Sequence, residues 1–125
     1  MTSETRSLLI QWAETYNSPE YFKADPIAFP TRFAELFRRG GACLADIEVA
    51  AVFAAHFAWG RRAMIVRDCG RLFDEMDWKP YDYVMRGKWK DDDASIHRTV
   101  KWSEVAAICG RLKDIYEGQA SLERF

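Results

Sequence analysis

The sequence predicts an all-α protein, a single compact domain over residues 1–125 with about five to seven helices around one buried helix. Apolar residues recur at helical spacing in several segments, no segment alternates strictly between apolar and polar residues, and no internal repeat is present. The chain has 125 residues, of which 49% are hydrophobic and 14% aromatic. A chain of this length and composition can bury a substantial core.

The central helix is predicted from Asp46 to Ala58, where only Glu48 and His56 interrupt an apolar run from Ile47 onward. A helix that is apolar on all sides has no solvent face, so we expect it to run through the middle of the fold. Asp46 is expected to be its N-cap. His56 is interpreted as a core histidine with hydrogen-bonded nitrogens rather than as a ligand. The run is shorter than the roughly 20 residues that a membrane span needs, so no membrane partner is expected.

A second, two-faced helix is predicted beyond Gly60. Its apolar stripe faces the central helix, and most of its charged residues lie off the stripe. Arg71 and Glu75 have the i, i+4 spacing of an ion pair. The two helices are expected to form an αα-hairpin joined at Trp59 and Gly60. The stripe consists of Ile65, Cys69, Leu72, Phe73 and Met76.

The segments before the hairpin are predicted to be two helices and an ordered loop. The first helix follows Ser3 and ends at Asn17; its apolar face is Leu8, Leu9, Trp12, Ala13 and Tyr16. The loop spans Tyr21 to Pro30, is extended before its prolines, and is expected to place Tyr21, Phe22, Ile27 and Phe29 in the core. A short helix with Phe33, Leu36 and Phe37 then ends at Gly40 and Gly41.

The segments after the hairpin are predicted to be a short helix, an exposed loop and a long helix. Pro80 suits the first position of the short helix, because its missing N–H costs nothing there. The loop from Arg86 to Ser95 is charged and is expected to be exposed. The long helix is expected to start after Ser103 as its N-cap and to stop at Gly118. Its stripe is Val105, Ile108, Cys109, Leu112 and Tyr116.

The net charge and the cysteines limit which functions and which cellular compartment the sequence predicts. The formal net charge of -1 argues against strong non-specific nucleic-acid binding, although a local basic patch is compatible with it. Cys69 and Cys109 fall on apolar stripes, which favours reduced, buried thiols over disulfides. The N-terminal residues lack the pattern of a signal peptide. We therefore expect a cytoplasmic protein.

Familiar local motifs of metal, cofactor and nucleophile sites are absent from the sequence. No Cys and His pair has zinc spacing, and no glycine-rich phosphate loop, GxGxxG or GxSxG pattern occurs. The run Asp91 to Asp93 lacks the alternating ligands of a calcium loop and is interpreted as a solvated turn. No cofactor, metal or catalytic residue is therefore predicted.

Two short segments are candidates for binding. Trp59, Arg61 and Arg62 lie at the tip of the predicted hairpin, where an aromatic ring and two guanidinium groups beside a helix N-terminus suit a phosphate or another anion. The alternative is that Trp59 caps the core and the arginines are solvated or paired. His97 and Arg98 follow the charged loop, and either contact a ligand or pin that loop to the helices.

Four sequence blocks occur in a characteristic order: DPIAFPTRF (Asp25 to Phe33), DIEVAAVFAAHFAWGRR (Asp46 to Arg62), PYDYV (Pro80 to Val84) and HRTV (His97 to Val100). Together they resemble the N-terminal half of an uncharacterised bacterial family, domain of unknown function 2400. The second half of that family is similar to helix-hairpin-helix DNA glycosylases. Two positions depart from the family pattern: Thr31 stands where relatives tend to have His, and His56 replaces a small or hydroxyl residue.

The resemblance implies a helical bundle with the turn from Ala58 to Arg62 near a DNA-facing cleft, which favours a binding role for Trp59, Arg61 and Arg62. Together with the candidates from the residues themselves, it leads us to expect a surface for DNA or another partner around Trp59, Arg61, Arg62, His97 and Arg98. It also implies that the catalytic half is missing, so base excision by this chain alone is not expected. The alternative function is a structural or interaction module, because the surface that the missing half covers would need a homodimer or a separate partner chain. An enzyme completed by such a partner is the third reading.

Overall fold

The computed structural model describes residues 2–17 and 25–124, and these residues form six α-helices, one 3-10 helix and one β-hairpin. The all-α class is confirmed, with the two-stranded antiparallel hairpin as a small addition that was not predicted. The elements are α1 (Ser3–Tyr16), α2 (Ala28–Arg38), α3 (Leu44–His56), α4 (Arg62–Glu75), α5 (Pro80–Arg86), β1 (Ser95–His97), β2 (Val100–Lys101), α6 (Trp102–Gly118) and the 3-10 turn (Leu122–Arg124).

Helix α3 begins two residues earlier than predicted, so Asp46 is not its N-cap. Cys43 takes that position, and Asp46 is the third residue of the helix. Its Oδ2 accepts the backbone N–H of Cys43 at 3.0 Å, and its Oδ1 accepts the N–H of Tyr81 at 3.0 Å. Asp46 therefore caps α3 from inside its first turn and also ties α3 to α5.

The prediction that the central helix lacks a solvent face is wrong. Val49, Ala50 and Phe53 are buried, where α3 packs against α2 and α5, but Ala51 and Ala55 are exposed. His56 is exposed as well, so it is not a core histidine. Alanine is apolar but small, and its hydropathy does not tell a buried side of a helix from an open one.

Helix α2 includes part of the segment that was predicted to be an extended loop. It starts at Ala28, and Pro30 lies in its first turn, where a missing N–H leaves no hydrogen bond unmade. Phe29 is buried as predicted, whereas Ile27 is exposed. Tyr21 and Phe22 lie outside the described residues. Phe29 and Phe33 contact the Phe73 ring, with centroids 5.3 and 5.4 Å away, and these contacts join α2 to α4.

The predicted apolar stripes of α4 and α6 are confirmed. All five stripe residues of α4 are buried, as are four of α6, with Ile108 half-buried. Helix α6 starts at Trp102 with Lys101 as its N-cap, so Ser103 lies inside the helix. Burial raises the pKa of the Cys69 and Cys109 thiols to about 12, as expected for inert core cysteines.

Helix α1 has close to the predicted bounds, but the residues of its predicted apolar face are exposed. Thr2 is its N-cap and accepts the N–H of Thr5 at 3.1 Å. None of its residues is buried. Leu8 is 47% exposed and Trp12 is 53% exposed. Within the described residues, this helix contributes nothing to the core.

The predicted exposed loop is confirmed except at Trp89. Residues 86–88 and 90–95 are exposed, and the run Asp91 to Asp93 is a solvated turn. Trp89 is half-buried, and its indole N–H donates to the carbonyl oxygen of Tyr83 at 3.0 Å. The β-hairpin follows, and its two-residue turn places Arg98 in a left-handed conformation with φ of 53°.

Candidate nucleic-acid interface

The turn between α3 and α4 carries three of the five predicted site residues, all exposed. The Trp59 side chain is 40% exposed. Arg61 is the N-cap of α4 and Arg62 is its first residue. Gly60 has φ of +113°, a conformation that side-chain-bearing residues rarely adopt. The glycine lets the chain reverse between the two helices while Trp59 remains at the surface.

Arg98 reaches this turn from the β-hairpin. Its guanidinium carbon lies 4.4 Å from the centroid of the Trp59 ring, in cation–π geometry. A Cβ placed on Gly60 would lie 2.7 Å from the Arg98 Nη1 atom. The backbone conformation therefore favours glycine at position 60, and a larger residue there would also displace the Arg98 side chain.

His97, the fifth predicted residue, is buried beneath the turn and is 1% exposed. Its Nδ1 lies 2.7 Å from Asp68 Oδ2, and its Nε2 lies 3.0 Å from the backbone carbonyl oxygen of Trp59. A carboxylate and a carbonyl are both acceptors, so each contact is a hydrogen bond only when the ring nitrogen that makes it carries a proton. His97 therefore holds the Trp59 turn from below, and neither nitrogen is free for a ligand.

Asp68 is the buried residue on which this site depends, and the sequence analysis missed it. Besides His97, it accepts bonds from Arg67 Nε at 3.0 Å and Arg71 Nη1 at 3.3 Å. Burial raises the pKa of this carboxyl, but the hydrogen bonds from Arg67 and His97 outweigh burial and leave the pKa below its ordinary value. Asp68 is therefore ionised in the folded protein.

A sequence signal for Asp68 existed. It follows Ile65 by three residues and precedes Cys69 by one, so it lies on the apolar stripe of α4. A carboxylate on such a stripe must be buried with a partner, and the arginines nearby are its obvious donors. The predicted pair between Arg71 and Glu75 is replaced by the contact of Arg71 with Asp68.

The exposed side of this assembly is rich in arginine. A chain of contacts runs from Arg98 through Trp59, His97 and Asp68 to the arginines of α4. No side chain caps the N-terminus of α4, and its first turn has no acidic residue. Uncapped N–H groups and guanidinium groups both attract anions. The arginines are Arg61, Arg62, Arg67, Arg71 and Arg98.

Over residues 2–17 and 25–124 there is no group of three or more His, Cys, Asp or Glu residues that could hold a metal ion. In the same residues, no helix has the length and apolar character needed to cross a membrane.

The comparison with known families decides the affiliation of the chain. The model described as "Protein of unknown function (DUF2400)" matches residues 25–125. The chain belongs to the DUF2400 family. The matched part of this DUF2400 protein contains Asp68 and all five predicted site residues, and it leaves out α1. No curated protein and no solved structure matches the chain.

Proposed function

We propose that this DUF2400 protein is a nucleic-acid-binding module that uses the surface of Trp59, Arg61, Arg62 and Arg98. The observation that carries the proposal is the Arg98 guanidinium group held 4.4 Å from the centroid of the exposed Trp59 ring, beside two further arginines at an uncapped helix N-terminus. An aromatic ring among guanidinium groups suits a ligand that has both phosphates and flat bases.

In this proposal each part of the surface has a separate role. Arg61 and Arg62 contact phosphate oxygens, together with the N–H groups of the first turn of α4. The Trp59 ring stacks on a base that is unpaired or exposed at a lesion. His97 makes no contact with nucleic acid and acts as a positioning residue, because it is buried and bonds the Trp59 carbonyl. The proposal includes no catalytic step by this chain.

The test is fluorescence anisotropy with three labelled probes: intact duplex DNA, duplex with an abasic site, and single-stranded DNA. Each is titrated at low and at moderate salt with the natural chain and with the Arg61→Ala/Arg62→Ala variant. If both arginines contact phosphates, the double variant lowers the slope of log affinity against log salt by about 2 on duplex DNA.

The matched control is Arg38→Ala/Arg39→Ala, which removes the same charge from two exposed arginines at the end of α2. These residues precede α3, whereas the Trp59 turn follows it, and a helix of 13 residues is about 20 Å long. The control is expected to bind like the natural chain. Equal losses in the two variants, or no binding of any probe at low salt, would contradict the proposal.

The second candidate function is an interaction module that forms a homodimer or completes a separate partner chain. The exposed apolar side chains of α1 favour it: Leu8, Leu9 and Trp12 are at the surface of a helix in which no residue is buried. Several bulky apolar side chains exposed on one helix are typical of a site of protein association.

A further inference from the structure

His97 is buried between two hydrogen-bond acceptors that come from different parts of the fold. Asp68 Oδ2, on α4, lies 2.7 Å from its Nδ1, and the backbone carbonyl oxygen of Trp59 lies 3.0 Å from its Nε2. A neutral imidazole ring carries one N–H and donates one hydrogen bond, whereas the imidazolium ion donates from both nitrogens. The two contacts are therefore hydrogen bonds at the same time only when the ring carries both protons.

A neutral His97 ring keeps its contact with Asp68 and loses the one with Trp59. The bond to Asp68 has an ionised acceptor and is the stronger of the two, so the remaining proton stays on Nδ1. Nε2 then turns a lone pair toward the Trp59 carbonyl oxygen, and this carbonyl loses its bond to the ring. Because His97 is buried, water replaces that bond only if the turn moves.

The charged groups that reach His97 from α4 keep their charges at the pH values where histidines ordinarily titrate. Asp68 is ionised, and its second oxygen, Oδ1, accepts from Arg67 and Arg71. Arginine and lysine side chains remain protonated over this range. The other cations of the turn and the β-hairpin are Arg61, Arg62, Arg98 and Lys101.

His56, at the end of α3, is the second histidine of the sequence and needs a control. Its ring centroid lies 6.2 Å from that of Phe57, and the Phe57 ring stacks on His97 with a centroid distance of 5.2 Å. His56 is exposed, so its charge also changes with pH. An effect of His97 must therefore be separated from one of His56 by substitution.

We propose that protonation of His97 regulates the nucleic-acid surface: the protonated ring holds the Trp59 turn in its binding position, and loss of the Nε2 proton to water releases the turn. The inference rests on the proposed function and adds its regulation. Arg98 is displaced with Trp59, because its guanidinium group lies over that ring. Nucleic acid that binds the held turn also favours the protonated ring. Affinity then falls by up to about tenfold per pH unit above the midpoint of the His97 titration, as expected when binding takes up one proton.

The first test is fluorescence anisotropy of labelled single-stranded DNA at constant salt between pH 5.5 and 8.5. The natural chain and His56→Gln are expected to bind more weakly as the pH rises, with the same profile. His97→Gln has no ring to titrate and is expected to bind weakly at every pH. Binding by the natural chain that is equal across this range would overturn the regulation and leave the proposed function in place.

The second test is nuclear magnetic resonance of the natural chain without DNA, which does not depend on the folding of a variant. The His97 ring, the Trp59 indole N–H and the Gly60 amide are expected to change with one midpoint. Asp68→Asn is expected to move that midpoint to lower pH, because a carboxylate stabilises a nearby cation. A His97 ring that does not titrate between pH 5.5 and 8.5, or a turn that does not follow it, would overturn the proposal.

The two tests separate failure of the regulation from failure of the proposed function. Absence of DNA binding at every pH would overturn nucleic-acid binding. The resonances of Trp59 and Gly60 would then still support or overturn the response of the turn to His97, since they are measured without DNA.

Discussion

The Asp68→Asn substitution tests whether the buried ion pair holds the Trp59 turn in place. Asparagine has the shape of aspartate, so the change removes a charge and one acceptor without making a cavity. Both partners are buried: the side chains of His97 and Asp68 are 0% and 2% exposed, and His97 Nδ1 lies 2.7 Å from Asp68 Oδ2. An effect on stability therefore reports the charge and hydrogen bonds of Asp68 rather than a loss of packing.

The magnitude follows from the burial of each partner. Removing one member of a buried ion pair costs about 3–5 kcal/mol. The asparagine amide oxygen still accepts one bond, and a bond to a charged group exceeds a neutral one by about 1–1.5 kcal/mol, so the lower end applies. The side chains of Arg67 and Arg71 are at least half exposed, so water replaces the bonds that they lose to Asp68. The loss of these two contacts therefore costs little free energy. We expect a loss of about 3 kcal/mol, or roughly 10 °C in Tm.

The assay is urea unfolding followed by circular dichroism, with Asp74→Asn as the matched control. Asp74 lies on the same helix but is exposed, and its bond to the Trp78 indole N–H needs only one acceptor oxygen. The control is expected within about 0.5 kcal/mol of the natural chain. If the two variants lose the same free energy of unfolding, the buried pair does not stabilise the fold as argued.

The pH dependence of the free energy of unfolding tests the role of Asp68 independently. Because the pKa of Asp68 is lower in the folded protein, its stabilisation is fully present above the ordinary carboxyl pKa of about 4. This stabilisation is lost as the pH falls through the lower pKa that Asp68 has in the folded protein. The difference in the free energy of unfolding between the natural chain and Asp68→Asn is therefore expected to shrink below about pH 4. A difference that does not shrink as the pH is lowered from about 4 to 2 would refute the assignment.

Three further predictions concern the turn, the thiols and the C-terminus. Gly60→Ala is expected to destabilise the fold by about 1–3 kcal/mol, because residue 60 has a positive φ, and to displace Arg98. Gly70→Ala is expected to stabilise the fold by about 0.5–1 kcal/mol, because Gly70 lies within α4 and a Cβ there meets open space. Urea unfolding of the two variants tests both expectations. With a thiol reagent at pH 8, only the exposed Cys43 is expected to react in the folded protein, and all three cysteines react in denaturant; fast labelling of a second thiol would contradict the burial of the others. Glu48→Ala removes the acceptor for the Leu122 N–H at 2.9 Å, so amide exchange there is expected to accelerate; unchanged exchange would show that the turn is held otherwise.

The helices and their stripes followed from the sequence because they depend on local geometry. Ile65 and Cys69 repeat at helical spacing, and their burial needs nothing beyond a neighbour to face. Pro80 starts α5 and Gly40 takes a left-handed conformation after α2, since each obeys a constraint of its own backbone. The family resemblance also followed from sequence blocks and is confirmed by the match over residues 25–125.

The burial of the two histidines could not be predicted in the same way. His56 was expected in the core and is exposed, whereas His97 was placed at a loop junction and is buried. Both sit beside apolar residues, so the local pattern does not separate them. What separates them is a partner: Asp68 lies 29 positions from His97 in the chain, yet their side chains meet.

The sequence by itself determined most of the helical segments, which faces of α4 and α6 are buried, and the family. Only the tertiary structure decided that one side of α3 is open, that the apolar residues of α1 are exposed, and that Arg98 lies over Trp59. Those outcomes depend on how elements distant in the chain are arranged, and spacing along one helix carries no information about that arrangement. The candidate surface could be described only from the tertiary structure, because its residues come from α4, the β-hairpin and the turn between α3 and α4.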